Sequence, residues 1–281
     1  MGAGIETWCR HCGDSGAMTD EHVPPKSIEN KRPVGSIDDP FGTHSIVREV
    51  AEWDEGHVVK SLDFECNSRA SRWGYVREYR VWYDLFRSAA IEKVKATKLD
   101  PLRGDQPFEL ALPYDVHPAR FVRQVVGMFL ALQETRDLFD GFPGLRQLIG
   151  PGSSNLRDRR KEGVDVAPLS IYMSVCNGRW VYTRRPMSTV ETKISNISET
   201  NENSAQDQSN TTDVSLLSLA PFVFVISTGE SQGLGHEITE WAKWPVDQRP
   251  SKSSRMLRIP TANRLSGGLK TLVYPESYVA R

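Results

Sequence analysis

Apolar positions divide the chain into a turn-rich first quarter and a longer, regularly patterned remainder. From residue 67 to about 98, Val76, Tyr79, Tyr83, Phe86 and Ala90 recur at steps of three and four, the stripe of an amphipathic helix. A second helix is expected over 118–139, where Pro118 suits the first turn and Phe121, Val122, Val125, Val126, Phe129 and Leu132 form a broad apolar face. The run from Ile171 to Cys176, then Asn177-Gly178, then Arg179 to Thr183 predicts two antiparallel strands joined by a tight turn, because Asn-Gly tolerates positive φ. Leu219 to Ile226 predicts a further buried strand, and the polar stretch 188–213 predicts a mobile loop. Before residue 65, Gly13, Gly16, Pro24, Pro25, Pro33, Gly35, Pro40 and Gly42 keep any regular element short. Asp100-Pro101 and Arg103-Gly104-Asp105 form a linker between an N-terminal unit, 1–98, and an α+β unit, 105–281.

Composition narrows the field only a little. At 281 residues the chain can bury one large core or two modest ones. A net charge of −1 does not advertise nucleic-acid binding, so any such affinity must come from a local basic patch or a bound metal. No run reaches the roughly 18 apolar residues of a membrane span, and no secretory signal opens the sequence, so a cytoplasmic protein is expected. Four cysteines, two of them in a CxxC, fit a reducing compartment and a metal site better than disulfides.

The candidate chemistry lies in three short pieces: Cys9-Arg10-His11-Cys12, Glu21-His22-Val23-Pro24 and Cys66-Asn67. Two thiolates two residues apart can chelate one Zn²⁺ at about 2.3 Å each. Gly13 favours the knuckle, Cys66 is the natural third ligand, and Asp63, His11 or His57 could complete the set. Cys176 sits in an expected strand and reads as packing. Beside the knuckle, the Glu21-His22 pair offers a carboxylate for a cation and an imidazole that can be neutral and basic near pH 7.

In this order, CxxC, then Glu-His-Val-Pro, then Cys-Asn opening a helix, the pieces resemble the HNH (ββα-metal) endonucleases over about residues 5–85. The resemblance implies a zinc-stapled, treble-clef-like ββα-metal core followed by an α+β domain. It implies Glu21 and Asn67 as ligands of a catalytic Mg²⁺ or Mn²⁺, His22 as general base, and His57 in place of the family's middle Asn. The partner would be double-stranded DNA, met by Lys26, Arg69 and Arg72, with Arg77, Arg80, Lys31 and Arg32 nearby in sequence. The C-terminal region would supply target choice, regulation or homo-oligomer contacts, and a role in bacterial restriction or defence is the family's usual setting. The alternative is a non-catalytic zinc-knuckle module that binds nucleic acid or protein.

Overall fold

The computed structural model describes residues 8–28, 34–37, 47–51, 57–98, 101, 106–134, 136–149, 163–176, 180–183, 188–193, 209–228, 234–252 and 255–261. The first part holds strands β1 (Thr19–Val23), β2 (Val34–Ile37), β3 (Val47–Ala51) and β4 (His57–Leu62), then helices α1 (Phe64–Arg72) and α2 (Tyr75–Thr97). Strand β5 (Phe108–Ala111) precedes helices α3 (Pro118–Ala131), α4 (Asp137–Gly141) and α5 (Pro143–Ile149). The remainder is largely strand: β6 (Leu169–Val175), β7 (Trp180–Thr183), β8 (Ser188–Lys193), β9 (Ser209–Leu219), β10 (Phe222–Thr228), β11 (His236–Glu237) and β12 (Met256–Ile259). The fold is therefore α+β.

Helix α2 follows α1 after a break at Gly74, whose φ of +77° is left-handed and whose added Cβ would meet the Arg120 guanidinium at 3.2 Å. Beyond the break the expected stripe is realised. Tyr79, Tyr83, Phe86 and Ala90 are buried with Trp82 beside them, Val76 is half-buried, and α3 buries every residue from Phe121 to Ala131. Helix α3 stops at Ala131 instead of 139, where the side-chain amide of Gln133 turns back to donate to the Phe129 carbonyl at 3.1 Å. Aromatic rings join the two helices to the sheet. Trp82 stacks on Phe121 with centroids 4.4 Å apart, and Phe121 meets Phe222 of β10 edge-on at 5.5 Å. Phe121→Ala is expected to cost about 3–5 kcal/mol, the usual range for removing a buried aromatic ring, measured by denaturant unfolding.

The large sheet runs β11-β6-β10-β9-β7-β2-β3, with β8 paired to β9. The two strands flanking Asn177-Gly178 form, but they do not pair with each other as expected. Strand β10 lies against β6, and β7 pairs instead with β9 and with β2. The apolar run Phe222–Ile226, buried on both faces, takes the central place and displaces the local hairpin. The hairpin that does form turns at Ala220-Pro221, with Leu219 opposite Phe222. A second antiparallel pair draws on 188–213, where a mobile loop was expected. Ser188–Lys193 pairs with Ser209–Val214, so β-branched Thr189, Val190, Thr192, Thr211 and Thr212 outweigh the polar composition, while residues 194–208 lie outside the described residues. Strands β2 and β3, drawn from the N-terminal stretch, extend this same sheet, and Trp8, Val23 and Ile28 share one core with α2, α3 and β10. The boundary expected between 98 and 105 is therefore crossed by both sheet and core.

Candidate metal centre and hairpin site

Residues 9–14 form a tight knuckle. The Gly13 N–H donates to the Cys9 carbonyl at 2.8 Å, the Cys9 N–H to the Asp14 carbonyl at 2.8 Å, and Gly13 adopts a φ of +87° that a side chain would strain. The Arg10 N–H donates to the Ser61 carbonyl at 2.7 Å, which clips the knuckle to β4. Directly after β4, Asp63 caps α1: one carboxylate oxygen accepts from the Cys66 N–H at 2.7 Å. Its other oxygen accepts from the Cys12 thiol at 3.0 Å. The cap thus aims Asp63 and Cys66 at the knuckle, and one ligand atom each of Cys9, Cys12, Asp63 and Cys66 lies within 4.8 Å of the others.

This set could hold a metal such as zinc. Tetrahedral bonds of about 2.3 Å place ligand atoms about 3.8 Å apart, inside the 4.8 Å within which these atoms lie. The thiols already feel one another. A hydrogen bond from Cys66 draws Cys9 down to about 6, while burial pushes Cys12 up. For Asp63, burial acts upward, but the hydrogen bonds from Cys12 and the Cys66 N–H hold it below the usual carboxylate range. The two histidines considered as fourth ligand are engaged elsewhere. His11 is buried with Nε2 3.4 Å from the Gly127 carbonyl of α3, and burial lowers it to about 4, so its ring is neutral. His57 is buried and stacks on Tyr182 of β7 with centroids 5.3 Å apart, which links the hairpin to the large sheet.

Strands β1 and β4 pair antiparallel, with Glu21 opposite Val59 and His22 opposite Val58. The register is unbroken from Asp20 to Val23 and its irregularity lies at Thr19/Asp20, so no bulge separates Glu21 from His22. Their side chains therefore leave the strand on opposite faces. His22 shares its face with exposed Val58, whereas Glu21 shares its face with Val59, which packs against the core. Helix α1 crosses this hairpin at Asn67, whose Nδ2 donates to Thr19 Oγ1 at 3.0 Å and to the Asp20 carbonyl at 3.2 Å. Thr19 Oγ1 donates in turn to the Leu62 carbonyl at 2.8 Å, tying helix to both strands. Sequence reasoning missed this role for Thr19, for which no local signal exists.

Both Asn67 amide hydrogens are used, so its Oδ1 is left as an acceptor. Glu21 makes no hydrogen bond or ion pair among the described residues, and burial alone raises it to about 7. For His22, burial acts first and Lys26 second to lower its proton affinity, with Asp20 opposing them, so the imidazole is neutral at neutral pH.

The expected DNA contacts divide. Lys26 and Arg72 are exposed, Arg72 in an ion pair with Glu65 at 2.8 Å. Arg77 is exposed, and Arg80 bonds Asp84 and the Ser27 carbonyl. Arg69 is only 7% exposed and its guanidinium lies over Trp73 at 5.4 Å, so it is not a surface contact. It stands one helical turn after Cys66, on the side of α1 that faces inward. Lys31 and Arg32 lie outside the described residues.

No family model matches the chain, and neither a curated protein nor a solved structure is found to be similar to it. Among the described residues no helix is long and apolar enough to cross a membrane.

Glu21 supports a pH prediction. A carboxyl raised from 4.5 to about 7 in the folded state stabilises the fold below its unfolded value, and that stability is lost as pH rises through 7. With divalent ions other than zinc withheld, Glu21→Gln should be more stable than wild type at pH 8 by about 1–2 kcal/mol, after allowing for partial exposure, and equal to it near pH 4.5. Thermal melts across that range check it. An equal offset at both ends would contradict it.

Proposed function

We propose that this chain is a metal-dependent endonuclease of the HNH type, hydrolysing phosphodiester bonds in DNA. The observation that carries the reading is two oxygen donors without a hydrogen-bond partner among the described residues, one on β1 and one on the helix that crosses it: the Glu21 carboxylate and Asn67 Oδ1. An ionised carboxylate withdrawn from water with no cation nearby is costly, and a hard divalent ion is the chemistry that relieves it. Both donors fit Mg²⁺ or Mn²⁺, which favour oxygen ligands. Such an ion, held by Glu21 and Asn67, would supply positive charge to the phosphate and to the departing 3′ oxygen.

The residues of the chain divide the remaining work. His22, on the solvent side of β1, is neutral and accepts a proton from water at an imidazole nitrogen. No bulge brings Glu21 onto the face of His22, so a phosphate that meets both must lie across the edge of β1. Asn67 is held by Thr19 and the Asp20 carbonyl, so its Oδ1 has a fixed place. Lys26, close enough to affect His22, offers charge to a phosphate. The Cys9, Cys12, Asp63, Cys66 centre, loaded with zinc, fixes α1 against the hairpin. A zinc-knuckle binding module accounts for the cysteines but leaves Glu21 unexplained.

Calorimetric titration of the zinc-loaded protein with Mn²⁺ tests the reading. One further site is expected, weakened in Glu21→Gln and in Asn67→Ala. No Mn²⁺ binding beyond the zinc would defeat it.

A further inference from the structure

We propose that Phe64 stacks on a nucleobase beside the phosphodiester being cut, so that the substrate class of this site is DNA with a base already out of the helical stack. The inference deepens the nuclease reading above and rests on it. Among the described residues four large apolar side chains stand exposed: Val58, Phe64, Tyr114 and Met256. Two of the four adjoin the residues proposed for catalysis. Val58 lies directly opposite His22 across the hairpin and is 41% exposed. Phe64 is 74% exposed, the most of the four, and precedes Asn67 by three residues in α1. Positions three apart on a helix are surface neighbours, with Cβ atoms about 5–6 Å apart. The ring therefore stands next to the side chain proposed to hold the catalytic ion.

The helix itself gives no reason for an aromatic ring at this place. Its cap is supplied by Asp63 and its buried side by Cys66 and Arg69. Glu65, Ser71 and Arg72 are exposed along with Phe64. Glu65 is paired with Arg72 at 2.8 Å, so the acidic neighbour of the ring is compensated and does not bar a polyanion. Tyr114, the other exposed aromatic, already carries the Arg249 guanidinium over its ring at 5.2 Å. An uncovered ring in water is unfavourable, and the π-face of a base covers it. Every base has such a face, so the contact asks for access and not for a sequence. In an intact duplex the base faces are taken by their stacked neighbours, and opening a step costs energy. A base that is already unpaired offers its face without that cost. Stacked on Phe64, it holds its nucleotide, and with it the adjoining phosphate, at Asn67.

The test measures equilibrium binding by the full, zinc-loaded chain without added Mg²⁺ or Mn²⁺. The probes are a duplex carrying one unpaired 2-aminopurine, a fluorescent adenine analogue, and the same duplex fully paired. Wild type is expected to bind the bulged duplex more tightly than the paired one and to change the fluorescence of its free base. Phe64→Ala should weaken the bulged complex about 5–100-fold, the worth of one stacked base, and leave the paired complex unchanged. Phe64→Leu keeps apolar bulk without a π-face and should fall with the Ala variant, whereas Phe64→Trp should match wild type. The side chain is exposed, so none of these changes opens a cavity, and zinc content checks the neighbouring centre. A Leu variant as good as wild type, or an Ala variant that keeps full affinity for the bulged duplex, would overturn the inference. So would a wild-type dimer that dissociates in Phe64→Ala with DNA affinity unchanged, since the ring would then cover a second copy of the chain. Wild type that binds neither duplex would overturn the nuclease reading together with this inference, whereas equal binding of both duplexes by wild type and Phe64→Ala removes this inference alone.

Discussion

Cys66→Ser is expected to lose the zinc and to unfold the knuckle and α1 while the main core and the large sheet stay folded. Beneath the knuckle, Cys9, Leu62 and Cys66 form a small cluster of their own with Cys12 and Met18 packed against it, separate from the main core. A cluster that size cannot offset the ordering entropy of its loops. Structural zinc supplies about 10–16 kcal/mol in small zinc modules, so its loss dominates every other local term. Helices α2 and α3 keep their aromatic contacts to β10 and do not depend on the metal. Hydrogen exchange should show protection lost over 9–14 and 64–72 and kept over 121–131 and 222–228. Zinc content near one per chain with unchanged protection in the variant would contradict this.

His22→Ala is expected to lower DNA cleavage by about 10²–10⁴-fold while leaving the fold and DNA affinity close to wild type. The imidazole shares a solvent-facing strand surface with Val58, so its loss opens no cavity in the core. Glu21→Ala and Asn67→Ala should fail differently. A missing ligand lowers metal affinity, which raised Mg²⁺ or Mn²⁺ offsets by mass action, whereas a missing base has no substitute in neutral solution. Burial and Lys26 hold the His22 proton affinity below its ordinary value. The acid limb of the wild-type pH–rate profile should therefore lie below pH 6.5, with a plateau above. Equal recovery of all three variants at high Mn²⁺ would break the assignment of roles.

Local signals in the sequence were legible where local physics decides the outcome. The stripe from Phe121 to Leu132 marks α3, and the spacing of Cys9, Cys12, Asp63 and Cys66 marks the cluster, because a knuckle and a helix cap are built from near neighbours. Strand pairing is not local. Asn177-Gly178 is a sound turn signal, yet β6 prefers the apolar run Phe222–Ile226 forty and more residues away in sequence, and nothing in either segment announces that choice. The same holds for β2 and β3, whose place beside β7 depends on the whole sheet. Composition misled at 188–213, where polar but β-branched residues pair as strands. The family resemblance set Arg69 beside Arg72 as a DNA contact, although its spacing of three from Cys66 puts it on the buried side of α1. That Glu21 finds no partner among the described residues could not be read at all, since it depends on where every one of those side chains lies.

The central claim meets its most direct test in a supercoiled plasmid incubated with the purified, zinc-loaded chain. Nicked and then linear DNA should accumulate with Mg²⁺ or Mn²⁺, stop when a chelator removes the added ion, and resume when the ion is restored. Plasmid that stays supercoiled at every Mg²⁺ and Mn²⁺ concentration, in a protein shown to be folded and zinc-loaded, would contradict the nuclease assignment.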